Sequence, residues 1–317
     1  MYCSVAMRLC FLLAILLMTG VRCFPPSVRL LSKSASILGP GRKGGASYPA
    51  TTSSISSDSG AMTMGVVSLD QGDDAGVKTP DFLAALSFVG ATATEFTLIG
   101  VFLHVLQIGG VKVAKQLLPA TFMASTTGQL VKNTLLAVLF FGLSVRSRFF
   151  SPLDNSRPKA NRGDANFQRK VPSWMPPPLT FPIVWTAIAL LRTTASILVV
   201  NTAGTLLTRP IFALAGHLAI GDTWNTVNNQ ERRLGTSALG VLFVLASVLH
   251  VVREYSKISI VAAKIIAPSA VWLTVATVLV WTIWRLNYKE LNGPSFFPSK
   301  EEGPASPWHL PLTTWNS

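Results

Sequence analysis

The chain has 317 residues, of which 49% are hydrophobic and only 13% charged, with a net charge of +13 and a mean hydropathy of +0.44. A soluble protein carries roughly 25% charged residues, and so few charges cannot cover a water-facing surface of this size. A collagen repeat and a disulfide scaffold are excluded as well, because there is no Gly-X-Y period and there are only three cysteines. Nucleic acid is not the expected partner of the basic excess. Six of the 27 basic residues precede Ser57 and seven more fall within 146–170, rather than along one folded stripe. The lipid bilayer is the partner that fits.

The first 57 residues read as two addresses in series. Residues 1–23 have a basic start at Arg8, an apolar run over 9–18 and small residues before Cys23, the pattern of a signal peptide. That run is too short for a spanning helix, which takes about 20 apolar residues. Residues 24–57 are rich in serine and threonine, with Arg29, Lys33, Arg42 and Lys43 and no acid, the composition of a transit segment. With Phe24 at the junction, the pair resembles the bipartite presequences that lead to secondary plastids. A plastid membrane is the expected location, and the endoplasmic reticulum or a mitochondrial membrane the alternative. Cys3, Cys10 and Cys23 all lie in the part expected to be removed, which would leave no thiol for catalysis, metal or disulfide. Residues 58–80 then form an acidic, glycine-containing linker.

Six apolar stretches follow, at about 82–108, 117–145, 181–200, 210–229, 236–252 and 262–286. Most are long enough to span as helices, and none alternates as a barrel strand does. The expected fold is an all-α membrane protein. The first stretch, within an expected segment 81–116, carries Glu95 and His104 and is the one that stands apart from the rest. The loop 146–170 has seven bases and two acids, so it and the C-terminal end are expected on one side of the membrane. Residues 291–317 are proline-rich and polar and read as a tail.

From Pro172 the sequence becomes specific. Pro172-Ser173-Trp174-Met175-Pro176-Pro177 is followed by Phe181 and Val184-Trp185-Thr186, and the last stretch carries Pro268, Trp272, Ala276-Thr277, Leu279, Trp281, Trp284 and Leu286-Asn287. This resembles the TspO/MBR family, the translocator or peripheral-type benzodiazepine receptor proteins, over 117–290. The resemblance implies a five-helix transmembrane bundle, here with one extra N-terminal helix. Departures mark a divergent member. Where the family's third helix carries Gln-Leu-x-Leu-Asn-x-x-Trp, this chain reads His217-Leu218-Ala219-Ile220-Gly221-Asp222-Thr223-Trp224. The family's sterol-associated pattern is incomplete, because no tyrosine stands between Leu279 and Arg285. Sterol is therefore left in doubt as a ligand.

The resemblance assigns Trp185 and Trp281 to a ligand cavity, since matching tryptophans line it in porphyrin-binding relatives. An indole offers a flat apolar face and one N–H donor, which suits a planar tetrapyrrole, and packing within the bundle is the alternative use. Trp281, Trp284 and Tyr288 recur at i, i+3 and i+7 and form an aromatic helix face. Trp174 is either an interfacial anchor or part of a lid, and Trp272 joins the candidate ligand residues. His217, Gly221, Trp224 and Asn228 share one face of the third family helix. Polar groups at that depth face the bundle interior or a cavity, which makes His217 and Trp224 candidate ligand residues, with interhelical hydrogen bonding as the alternative. Arg192 and Asp222 are charges within apolar spans, expected to pair with each other and, in the sharper reading, to meet a ligand carboxylate such as a porphyrin propionate.

No nucleophile, acid–base dyad or metal cluster is visible, so no catalytic or metal-binding residue is assigned and no cofactor is obligatory. The expected function is a membrane translocator or receptor that binds porphyrin, haem or a similar flat apolar ligand. Light- and oxygen-dependent porphyrin degradation is the enzymatic alternative, and a scaffold recruiting protein partners is the third. A homodimer is among the expected assemblies.

Overall fold

The computed structural model describes residues 78–117, 119–153, 169–289, 291 and 293–309. The expected signal peptide, transit segment and most of the linker, the middle of the basic loop and the last eight residues lie outside the described residues. Among those described there are helices and two isolated antiparallel bridges, with no strand.

The helices are α1 (Phe82–Leu117), α2 (Ala120–Ala124), α3 (Thr126–Arg146), α4 (Thr180–Ala203), α5 (Arg209–Asn225), α6 (Leu234–Ser256) and α7 (Ile260–Leu286). Local chemistry sets their ends. Asp81 Oδ1 accepts the Ala84 amide at 3.0 Å, Ser125 Oγ that of Gly128 at 3.1 Å and Thr208 Oγ1 that of Ile211 at 3.4 Å, each satisfying a first-turn donor. α4 stops at Gly204, which takes the left-handed φ of 73° that glycine adopts without penalty. The stretch expected to run unbroken over 117–145 is interrupted, because extended Pro119 and Ser125 set off the short α2.

Among the described residues, five segments are long and apolar enough to cross a membrane: Phe82–Gly110, Thr126–Phe150, Thr180–Ala203, Leu234–Ser256 and Ile260–Leu286. α5 is shorter, and its 17 residues reach roughly 25 Å against a hydrocarbon layer of about 30 Å. A π-helical turn, Thr226–Gln230, extends it. Large apolar side chains point outward along these helices, with Leu83, Ile183 and Val271 among the most exposed, as lipid in place of water requires.

α1 does not stand apart. It lies antiparallel to α5, with Thr92 Oγ1 donating to Thr223 Oγ1 at 2.8 Å, Phe96 edge-on to Phe212 at 6.4 Å and Gln107 Oε1 accepting the Leu206 amide at 2.8 Å. Ile99 and Leu103 of α1 join Phe140, Val199, Ile211, Leu214, Tyr255 and Ile266 in the main core. Fully buried Glu95 sits beside Asp222, Ser151 and Arg148.

Lys170, at the end of the basic loop, meets Asn287 at the C-terminal exit, at one end of the bundle. The C-terminal segment differs from the expected tail. Residues 293–309 return as a strap across that end. Phe297 packs on Phe82 at 5.3 Å, the Asp81 amide donates to Pro298 O at 2.7 Å, and the Trp308 indole lies on Gly90 while donating to Ser87 Oγ at 2.7 Å. Composition counted prolines and polar residues, whereas three aromatic side chains do the anchoring. Beneath the strap, Arg233 is 1% exposed. It donates to Ser299 O at 3.0 Å and Gly303 O at 2.6 Å and pairs with Glu231 at 2.7 Å and Glu302 at 3.3 Å. Bonds from the Thr79 hydroxyl and amide hold Glu301 down to about 2, while burial raises Glu302 above the ordinary carboxylate range.

Candidate functional site

The aromatic spacing of α7 becomes a contiguous face. Trp281 meets Trp284 edge-on with centroids 5.5 Å apart, and Trp284 meets Tyr288 at 5.3 Å, also edge-on. Behind them lie Ala238, Val241 and Val280, small enough to let the rings seat against α6. On the outer side, Phe296 of the strap lies 4.8 Å from Trp284 and 5.6 Å from Trp281, tilted by 34° and 37°. Trp284 donates its indole N–H to Pro294 O at 3.2 Å. The Trp281 N–H is buried with no acceptor among the described residues.

The other predicted tryptophans separate into distinct roles. Trp224 is a structural clasp: its N–H donates to Ser237 O at 3.0 Å and its ring presses on Gly240, where a Cβ would stand 3.0 Å away. Trp272 is edge-on to Phe181 at 6.2 Å. With Lys264, Ala267, Pro268, Val271 and Val275 it lines an open groove of about 510 Å³ along one face of α7. Trp185 on α4 is 38% exposed and Trp174 before it 48%. Trp185 is not among the ring neighbours of Trp281.

The polar stripe of α5 faces its neighbours as its spacing predicts. Arg192 donates to His217 Nε2 at 2.7 Å. A guanidinium can only donate, so Nε2 accepts and the ring carries its proton on Nδ1, which reaches Ser247 Oγ at 2.8 Å. Ser247 passes the chain to Val244 O at 2.7 Å. Further along, Asn228 Oδ1 accepts from Ser237 Oγ at 2.7 Å and from Arg169 at 3.2 Å. Arg169 is itself held down to about 10 by burial and by Arg232.

The expected ion pair between Arg192 and Asp222 is corrected by the geometry. Asp222 accepts from Arg148 Nε at 3.3 Å and from the Ser147 hydroxyl. Its hydrogen-bond partners thus lie in the turn that follows α3. Arg192 has His217 instead, and its Nε has no acceptor among the described residues. These residues hold no group of three or more metal-ligating side chains.

Sequence reasoning missed Phe296, Gly235 and Arg233. The paired phenylalanines at 296 and 297 inside a polar segment were the available signal. The close approach at Gly235, where a Cβ would stand 2.0 Å from Ser295 O, leaves no trace in the sequence.

Comparison with known proteins bears on 149–285, a segment that matches the TspO/MBR family model. Protein CrtK of Rhodobacter capsulatus is 26% identical over 123 residues, which is 37% of this chain and 75% of the relative. The tryptophan-rich sensory protein of Cereibacter sphaeroides is 26% identical over 117 residues, 37% of this chain and 73% of the relative. The translocator protein of Homo sapiens is 26% identical over 120 residues, 37% and 71% respectively. The matched segment takes in α4 to α7, and α1 to α3 and the strap lie outside it. Residues 149–285 of this integral membrane protein thus match the TspO/MBR family.

Proposed function

We propose that the chain is a membrane translocator or receptor whose ligand is a tetrapyrrole or a similarly flat, largely apolar molecule, in keeping with relatives named translocator and sensory protein. The observation that carries this reading is the aromatic face of Trp281, Trp284 and Tyr288. It presents indole faces for stacking and a buried Trp281 N–H with no acceptor among the described residues. A buried donor left unmet costs about 1–3 kcal/mol, and a ligand acceptor would recover it. Arg192, buried and engaged by a neutral imidazole rather than a carboxylate, is the cation that a ligand carboxylate would meet. A plastid membrane is the proposed location, on the strength of the N-terminal composition. The test is fluorescence titration of purified protein in detergent with protoporphyrin IX, a sterol and a bilin side by side. Saturable quenching by the macrocycle is the expected result, and equal, non-saturable responses to all three would refute the reading.

A further inference from the structure

The strap covers the same indole faces that the proposed ligand would need. Phe296 lies at 34° to Trp284 and 37° to Trp281, far closer to parallel than the 71° at which the two indoles meet. Its ring therefore lies tilted over both indoles, on the side of the aromatic face that a flat guest would approach. Phe296 is still 40% exposed, so its ring is only partly withdrawn from the surroundings by staying there.

The backbone on either side is built as a hinge and a latch. Gly293 has a φ of 65°, and a Cβ there would stand 3.1 Å from the Tyr288 hydroxyl. Both features call for glycine. Beyond Phe296, Ser299 and Glu302 form a capping box, and the carbonyls of Ser299 and Gly303 are gripped by buried Arg233. Between Gly293 and Phe297, the segment is held to the aromatic face by one hydrogen bond, Trp284 to Pro294 O, and by the Phe296 ring, whereas Phe297 on Phe82 and Pro298 O on the Asp81 amide belong to the latch. Bare Gly235 lets the 294–295 backbone seat against α6.

We infer that residues 294–296 are a displaceable cap, in which Phe296 occupies the place of the ligand over the indoles and must leave for the ligand to bind. The inference rests on the proposed reading of the Trp281–Trp284 face as the ligand site. It makes Phe296 an internal competitor and a determinant of affinity, while the Arg233 latch keeps the strap attached when the cap opens.

The experiment titrates the full chain in detergent with protoporphyrin IX, comparing wild type with Phe296→Ala and Gly235→Val. Phe296→Ala removes the competing ring, and Gly235→Val unseats the backbone without touching an aromatic residue. Both variants are expected to bind roughly two- to tenfold tighter, the range set by one aromatic pair. In wild type, the porphyrin is expected to speed hydrogen exchange at amides within 295–297 while leaving those of 299–303 protected. If wild type binds saturably but Phe296→Ala binds equally well or more weakly, or the 295–297 amides do not respond, the cap is overturned and the ligand reading survives. If neither wild type nor variant binds, both fall together.

Discussion

Asn287 holds Lys170 by both of its backbone groups. Its Oδ1 accepts the Lys170 amide at 2.9 Å and its Nδ2 donates to the Lys170 carbonyl at 2.9 Å, with a further bond to Ile283 O at 2.7 Å. The residue is fully buried. One side chain thus fixes the end of α7 to the segment that leads through the prolines into α4, which is a physical use for the asparagine of the Leu286-Asn287 motif.

Replacing Asn287 with leucine removes these bonds and is expected to destabilise the bundle by about 1–3 kcal/mol, the cost of leaving a buried polar group unmet. Asn287→Asp keeps the acceptor but turns a buried carboxylate oxygen on the Lys170 and Ile283 carbonyls, so it should cost at least as much. Thermal unfolding in detergent checks this, and a leucine variant as stable as wild type would contradict it.

Arg233 carries the strap in the same way, but with charge. Its side chain is 1% exposed and that of Glu231 3%. Arg233→Met is expected to cost about 3–5 kcal/mol, because it strands a buried carboxylate. Adding Glu231→Gln should restore part of that loss. Proteolysis of the strap, read by mass spectrometry on both variants, checks the order: fastest in the single variant, slower in the double.

The bundle was legible from composition and apolar length, and the last helix's aromatic face from spacing alone. Glu95, an acid in an apolar stretch, made the first helix look peripheral. It is instead buried against α5, since helix partners are chosen by surfaces that spacing does not reveal. The Arg192–Asp222 pair was inferred from depth and charge sign. Depth along two helices says nothing about rotation about their axes, and that rotation gave Asp222 to Arg148 and Arg192 to His217. The strap was illegible because its anchors are three aromatic residues and a missing Cβ, scattered through a segment whose average is polar.

The N-terminal address makes its own prediction. Residues 1–57 fused to a fluorescent reporter, in a cell with a secondary plastid, are expected to enter the secretory route and then the plastid. Retention in the endoplasmic reticulum with Phe24 intact would contradict the bipartite reading and leave the membrane bundle unaffected.

Arg192 separates a ligand role from a packing role. Arg192→Gln keeps a donor toward His217 and removes the charge. It should weaken binding of a dicarboxylate porphyrin several-fold, since a charge-assisted bond is about twice as strong as a neutral one, and leave the dimethyl ester unchanged. Equal losses for acid and ester, measured in parallel titrations, would make Arg192 a structural partner of His217 only.

The central claim is that the α7 aromatic face binds the ligand, and Trp281→Phe tests it most directly. The change keeps an apolar ring against Ala238 and Val241 but shortens the stacking surface and deletes the N–H that has no acceptor among the described residues. Protoporphyrin IX titration of this variant, beside wild type and a control at Phe140→Leu in the fully buried main core, is predicted to show affinity reduced by about 0.5–1.5 kcal/mol, the scale of one aromatic contact, with the control unchanged. Saturable binding of unaltered affinity in Trp281→Phe would mean that the macrocycle sits elsewhere in the bundle.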